Sequence, residues 1–352
     1  MEVNSRGIDI QSTEYILLNS MEISEFGRGW VALNRAYMKP ASEARSAGDL
    51  FAEFAAHRWE QGGERINFAG VEGKDVYNIS APFMDEGDTV IAGRVEARDS
   101  EDSEVVFFVQ RGGVWFPRTG TRRFPLLQDP FVAVIQGELV FGGVEIWRRF
   151  TDPHKLEFRT LFYRGKNIRD LRLCAVGLQG MKDIRLVELT DKRIGVFTRP
   201  KGRGFGGKAE IGFAVIDCLD DLTPSVIVQA KKIPRRFLPE EWGGVNELHV
   251  LRNGRIGILG HIAHFTEDHL RHYYAMSFVW DSTTEHATSI KVIAASSSFI
   301  NVQNYKRPDL RDVIFPGGLV RWGDGRADLY AGVNDCEAYK LRIHDPFLDY
   351  ED

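Results

Sequence analysis

Cysteine is scarce in this chain of 352 residues: Cys174, Cys218 and Cys336 are the whole supply, and they stand far apart. Three such residues build neither a disulfide framework nor a zinc knuckle, and they fit reduced thiols used as small core residues. No apolar run approaches the roughly 18 residues that a membrane helix needs. The first 30 residues also lack the basic-then-apolar order of a secretion signal. A cytoplasmic address is expected, with no membrane partner. Charge of one sign is missing too. Lys and Arg total 45 against 50 Asp and Glu, a net charge of -5 without a block of either sign. The basic face of a nucleic-acid reader is therefore not expected. At 43% hydrophobic and 27% charged residues, the composition excludes disorder and supplies a substantial core.

Glycine, by contrast, is plentiful at 35 residues, set between short β-branched and aromatic runs. That is an all-β rhythm. One pattern recurs: a polar opening, an apolar strand, a tight Gly, Asn or Asp turn, and a second apolar strand. It reads APFMDEGDTVIAGRVEAR from Ala81, DPFVAVIQGELVFGGVEIW from Asp129 and DIRLVELTDKRIGVFTRP from Asp183. It returns as NELHVLRNGRIGILGHIA from Asn246 and VIFPGGLVRWGDGRADLYAGVND from Val313. The equivalent positions Phe83, Phe131, Ile184, Leu248 and Phe315 are spaced by 48, 53, 64 and 67 residues. A further alternating segment follows each hairpin, such as SEVVFFV from Ser103 and HYYAMSFVWD from His272. Units of three or four strands cannot cover both faces alone, and radial stacking of five closes the sheet edges.

The expected fold is all-β, a five-bladed β-propeller over residues 75–352 forming a single domain. Residues 1–74 are an N-terminal extension expected to complete the last blade. Within it, the stretch from Glu14 to Arg35 reads as strand. A short helix from Asp49 to Trp59, capped by Asp49, is expected to turn Leu50, Phe51, Phe54 and Ala55 to one side.

Two motifs offer little chemistry. GRGFGG at residues 202–207 matches a dinucleotide fingerprint, but a strand follows it where a helix N-terminus is needed, so it reads as a blade loop. His261 with His264, and His269 with His272, lack a third ligand at metal spacing, and no metal is expected. The repeat itself is more informative, because it gathers polar residues where inner strands start and end. Those residues are Asn78, Arg94 and Glu96; Gln128 and Asp129; Lys182, Asp183, Arg185 and Arg199; Asn246, Glu247 and His261; and Asp335. Converging on one funnel, they are costly to bury unless paired or used. They fit either an inter-blade salt-bridge network or a site for a ligand with hydroxyls and an anionic group, such as a sugar and a phosphate.

Long ordered segments add a family resemblance. They are GRVEARDSEDSEVVFF, LQDPFV, MKDIRLVEL, FTRPKG, WGGVNELHVL, LGHIAHF, RHYYAMSF and DVIFPGGLVR with LYAGVNDCEA. From about Asp75 to the C-terminus the chain resembles the domain-of-unknown-function family 1861. That family is grouped with the mannogen phosphorylases, dual β-1,2-mannosyltransferase/phosphorylases of glycosyltransferase family 108. More distantly, QDPF, Lys182 with Asp183, and FPGG with YAGVND are similar to motifs of the mannoside phosphorylases of glycoside hydrolase family 130, although QDPF lacks an arginine present there.

The resemblance implies an inverting, carbohydrate-active enzyme on β-1,2-linked manno-oligosaccharides that releases or uses mannose 1-phosphate. The family's single catalytic carboxylate falls on Asp129, which in the related phosphorylases reaches the glycosidic oxygen through a sugar hydroxyl. Phosphate is already an anionic nucleophile, so a cationic cage replaces the second carboxylate of an inverting hydrolase. Lys182, Arg199, His261 and Tyr274 are the candidates for that cage. Asn78, Arg94, Glu96, Asp183 and Asp335 are candidates for the sugar hydroxyls, and Arg185 and Glu247 serve either the sugar or the bracing of blades. No cofactor is expected: inorganic phosphate or mannose 1-phosphate is the co-substrate, with GDP-mannose as an alternative donor. A small oligosaccharide is the expected partner, and a homo-oligomer stays open. The alternatives are a hydrolase on the same scaffold and a non-catalytic glycan-binding propeller.

Overall fold

Strand-forming runs alternate with turn residues along the chain. The computed structural model, which describes residues 43–57, 62–201 and 208–351, is accordingly mostly β. The stretch from Glu14 to Arg35 and the loop 202–207 lie outside the described residues. Two-residue turns with both residues at positive φ join several strands: Glu86 and Gly87, Gly112 and Gly113, Gln136 and Gly137. Their backbone twist matches that of the flanking strands, which fixes the hairpin register.

The first sheet has six strands, centred on Asp88–Glu96 and Glu104–Arg111. The second runs in order Leu127–Ile135, Glu138–Arg149, Asp152–Gly165 and Arg172–Val176. Arg185–Glu188, Ile194–Thr198, Gly212–Ile216 and Lys231–Lys232 form the third. The last sheet has nine strands and consists of two antiparallel runs. Trp242–Val250, Ile256–Phe265 and Arg271–Asp281 lead one; Asp312–Arg321, Arg326–Val333 and Glu337–His344 lead the other. A short parallel pairing of His272 with Asp312 and Tyr273 with Val313 joins them.

The leading strands of these runs lie against one another. Leu127–Ile135 touches Arg185–Glu188, which touches Trp242–Val250, which touches Asp312–Arg321. Between neighbouring sheets the apolar side chains of alternating positions form the core, including Phe107, Phe124 and Phe141 in one cluster and Ile184, Val196 and Phe162 in another. Glu64–Arg65 pairs with Tyr339 and Lys340, so a segment upstream of residue 75 borders the outer strand of the last run.

The N-terminal helix spans Ala47–Ala56, and its cap differs from expectation. Ser46 accepts from Asp49 N at 3.0 Å, which leaves Asp49 in the first turn, where its charge favours the helix dipole. Ala47, Leu50 and Phe54 are buried and Phe51 is half-buried, while Ala55 is exposed. The apolar face rests on Lys291–Ala294 and Ile256–Phe265.

Candidate functional site

Four acidic or amide residues sit where the backbone turns left-handed at the ends of strands. Asn78, Asp129, Asp183 and Asp335 have φ of 44°, 49°, 58° and 53°. Asn and Asp tolerate this region better than other side chains that bear a Cβ. Asp129 occupies a bulge between Gln128 and Phe131, and Pro130, which has no N–H to donate, suits such a break. Gly143 faces the bulge, and a Cβ there would lie 2.7 Å from Gln128 O. Gly332 performs the same service for Asn78, whose Oδ1 would stand 2.1 Å from an added Cβ.

These kinks deliver two linked charge clusters. In the first, Asp129 Oδ1 accepts from Asn78 Nδ2 at 2.8 Å and from Arg94 Nη1 at 3.2 Å, and Lys182 Nζ lies 3.9 Å from Oδ2. Burial alone would push the Asp129 carboxyl up, but Arg94, Lys182 and Asn78 outweigh it and hold it below its usual range. Arg94 also donates to Glu96 Oε2 from Nη2 at 2.9 Å and from Nε at 3.1 Å. Tyr77 and Lys306 engage Glu96 Oε1, and Lys306 Nζ reaches Glu101 at 3.1 Å.

In the second cluster Arg199 Nη1 donates to Asp183 Oδ2 at 2.7 Å and Nε to Gly243 O at 2.6 Å. His261 Nε2 stands 3.9 Å from the same carboxylate oxygen, and Nδ1 is 2.8 Å from Asn246 Oδ1. Asp183 is fully buried; against that burial, Lys182 and Arg199 keep its carboxyl well below the carboxylate range. Asp183 Oδ1 and Asn246 Nδ2 are buried without a hydrogen-bond partner among the described residues.

Lys182 and Arg199 also line a cavity of about 280 Å³ with Lys201, Lys208, Phe158, Trp242 and Phe265. Lys201 Nζ lies 4.5 Å from the Phe158 ring, and Lys208 Nζ 5.1 Å from Trp242 and 5.5 Å from Phe265. Four cations at one opening, backed by apolar walls, make a strong anion site. Burial and then the neighbouring Arg199 and Lys182 lower the Lys201 pKa, a sign of that crowding.

The structure thus gathers Asn78, Arg94, Glu96, Asp129, Lys182, Asp183, Arg199 and His261. Asp335 belongs with them: its carboxyl responds to Arg94, Asp129, Lys306 and Glu96. Two expectations change, and the reading left open for Glu247 and Arg185 is narrowed. His261 is not a cation, because burial lowers its pKa to about 3 and it stays neutral at neutral pH. Tyr274 turns away from the site and stacks on Phe51 of the helix with ring centroids 4.7 Å apart. Its neighbour Tyr273 takes the site side, since adjacent strand residues point to opposite faces, and its ring stacks on His261 at 5.7 Å. Glu247 braces the two runs of the last sheet by accepting from Leu319 N at 2.6 Å and pairing with His249 at 2.8 Å. Arg185 also braces, donating to Asn246 O at 2.8 Å and lying 4.3 Å from the Phe131 ring.

The sequence reading passed over Lys201 and Lys208, which flank the glycine-rich loop, and Lys306, which sits between hairpins where no repeat marks it.

A mostly β scaffold with a buried carboxylate beside a cation-lined opening thus forms the chain's polar centre. The chain belongs to the family described as protein of unknown function DUF1861, whose model matches residues 52–349. Among solved structures it resembles MPT-4, a mannose phosphorylase from Leishmania mexicana in complex with phosphate ion. The two are 34% identical with a TM-score of 0.79, over 87% of this chain and 95% of that one. MPT-1, a GDP-Man-dependent mannosyltransferase from the same organism, is 32% identical with a TM-score of 0.79, over 87% and 96%. A β-1,2-mannobiose phosphorylase from Listeria innocua, 12% identical with a TM-score of 0.55 over 80% and 94%, shares the fold. No curated protein sequence matches the chain.

Proposed function

We propose that this protein is an inverting β-1,2-mannoside phosphorylase, able to run as a mannosyltransferase, on a five-bladed β-propeller. The blade count rests on five antiparallel runs, four of whose leading strands pack in succession, with the nine-stranded sheet supplying two of the runs. Residues 75–352 then form the catalytic domain, and residues 1–74 an extension whose Glu64–Arg65 strand borders the last blade. The observation that carries the activity is the ionised, buried Asp129 within 3.9 Å of Lys182, which itself lines the four-cation cavity. A sugar held at Asp129 would present its anomeric carbon toward an anion held at Lys182, Arg199, Lys201 and Lys208.

Asp129 is the catalytic carboxylate, facing the transferred mannosyl unit. Asn78, Arg94, Glu96, Asp183 and Asp335 surround the sugar, and the unpaired Asp183 Oδ1 and Asn246 Nδ2 are free to bond its hydroxyls. Neutral His261 contributes a ring nitrogen, not a charge. Support from relatives is direct: one protein 34% identical carries phosphate and is called a mannose phosphorylase. Phosphate or mannose 1-phosphate is the co-substrate and no bound cofactor takes part. The relative that depends on GDP-Man keeps the nucleotide sugar as a second donor. The protein acts in the cytoplasm on small manno-oligosaccharides.

The test is phosphate dependence. Short β-1,2-manno-oligosaccharides with phosphate should yield mannose 1-phosphate, identified with its anomer by NMR. Release of free mannose at a rate indifferent to phosphate would make it a hydrolase, and binding without cleavage under every donor would make it a lectin-like scaffold.

A further inference from the structure

The Arg94 guanidinium gathers three carboxylates, and one of them reaches solvent. It donates to Asp129 from Nη1 and to Glu96 from Nη2 and Nε, and Nη2 also lies 3.5 Å from Glu101 Oε2. The Asp129 and Glu96 side chains are 4% and 1% exposed, that of Glu101 36%. Glu101 belongs to residues 97–103, the loop that leaves the strand Asp88–Glu96 just beyond Arg94 and Glu96. Gln128, the neighbour of Asp129, donates its side-chain N–H to Glu101 O at 3.3 Å. The Glu101 carboxylate therefore stands at the outer edge of the cluster, one guanidinium away from Asp129.

A second loop, residues 299–311, holds it there. Arg307 Nη1 donates to Glu101 Oε1 at 2.9 Å, and Lys306 Nζ reaches the same oxygen at 3.1 Å. Lys306 is fixed in turn, since it engages Glu96 and its backbone N–H donates to Asn334 O at 3.0 Å. Arg98 ties the two loops together, pairing with Asp75 at 2.8 Å and reaching Tyr305 O at 3.4 Å. Both loop cations thus crowd Oε1. Oε2 faces Arg94 at a distance long for a hydrogen bond and keeps room for a hydroxyl donor. Part-exposed ion pairs add little to stability. What these cations do supply is a carboxylate oxygen held in place before a ligand arrives.

Under the phosphorylase reading, on which this inference rests, the side that Glu101 occupies matters. An inverting displacement puts the attacking phosphate and the departing oxygen on opposite faces of the anomeric carbon. The cation-lined cavity reaches Asp129 through Lys182, 3.9 Å from Oδ2, whereas Arg94 approaches Oδ1 and carries Glu101 beyond it. We propose that Glu101 is a specificity-determining residue of the acceptor subsite. Its Oε2 accepts a hydrogen bond from a hydroxyl of the mannosyl unit that departs in phosphorolysis and receives the new unit in synthesis. Lys306 and Arg307 position it. Asp129 remains the catalytic carboxylate, and Glu101 exchanges no proton in the reaction. A charged acceptor in a fixed place rejects a sugar that lacks the matching hydroxyl more strongly than apolar contact does.

The synthetic direction separates the two halves of the site, because donor and acceptor are varied independently. Phosphate release from mannose 1-phosphate is followed with β-1,2-mannobiose as acceptor in the wild type, Glu101→Ala and Arg307→Met. Glu101→Ala should raise the KM for the acceptor about 10-fold or more and leave the KM for mannose 1-phosphate near the wild-type value. Arg307→Met should raise the acceptor KM by a smaller factor. Acceptors that each lack one hydroxyl, other than the one to be mannosylated, read the contact directly: one of them should be poor for the wild type and no poorer than its parent for Glu101→Ala. A rise of both KM values together would make Glu101 a brace for Arg94 and overturn the assignment. An acceptor KM that does not move would overturn it too, as would a missing-hydroxyl penalty that survives in Glu101→Ala. Should the alanine variant not fold, the near-isosteric Glu101→Gln decides by the same two KM values. A wild type that releases no phosphate from mannose 1-phosphate with any acceptor rejects the phosphorylase reading itself, and the subsite with it.

Discussion

The strand pair Ile256–Phe265 and Arg271–Asp281 has two faces that a solvent probe could hardly tell apart, since His261 on one is 1% exposed and Tyr274 on the other 3%. Their surroundings are opposite. On the first face His261 meets Asn246, Asp183 and the Tyr273 ring. On the second, Tyr274 joins Ile262, Met276 and the helix residues Leu50 and Phe54 in an apolar cluster. Burial alone therefore does not mark a core here. What separates the faces is the chemistry they gather: charged and amide groups around His261 on the first, apolar side chains around Tyr274 on the second.

The contrast breaks most severely at the polar face. Asp129→Asn should lower phosphorolysis by about 100-fold or more with an unchanged circular-dichroism spectrum, and wild-type turnover in that variant would remove Asp129 from the chemistry. Arg199→Met comes next, because it strands the fully buried Asp183 carboxylate. Losing one partner of a buried pair costs about 3–5 kcal/mol, readable as a lower denaturation midpoint; a shift no larger than a surface substitution produces would show that Asp183 has other compensation.

His261 yields a pH signature. Its pKa is lowered to about 3 in the fold from an ordinary value of 6.5. The unfolded chain therefore binds the extra proton first as pH falls, and stability drops between about pH 6.5 and 3, by up to about 1.4 kcal/mol per pH unit. His261→Gln should flatten that acid limb, as measured by urea unfolding across the range; an identical slope would place the titration on another group. Lys208 stands at the exposed rim of the cavity. Lys208→Ala should raise the KM for phosphate several-fold and leave kcat nearly unchanged, because a rim charge steers an anion without touching the reacting atoms.

Much of this was legible in the sequence. The fivefold hairpin pattern announces the β architecture because Gly-containing turns and period-two alternation are local, and the Asn and Asp at the strand openings mark the left-handed kinks that carry the site. Three things were hidden. The side on which Tyr273 and Tyr274 fall depends on register, which a run of alternating YYAM letters does not fix. The charge state of His261 depends on its burial, which outweighs the Asp183 carboxylate beside it. Lys306 reaches Glu96 across 210 residues of sequence, and Lys201 and Lys208 come to the cavity from the two ends of a loop; neither contact leaves a periodic trace.

The smallest effect tests the comparison most finely. The Tyr274 hydroxyl has no hydrogen-bond partner among the described residues and its ring lies against Phe51, so Tyr274→Phe keeps the packing and removes only an idle oxygen. Stability and phosphate KM should both stay close to wild type, within about 0.5 kcal/mol for the first. Tyr273→Phe removes an oxygen in use, since Trp242 Nε1 donates to it at 2.8 Å and Trp242 is a wall of the cavity. The freed indole N–H costs on the order of 1 kcal/mol, and the wall it anchors loosens, so the KM for phosphate should rise while that of Tyr274→Phe does not. Were the two variants to behave alike, or in the reverse order, the assignment of the polar face to Tyr273 would be wrong, and with it the side of the strand pair on which the anion sits.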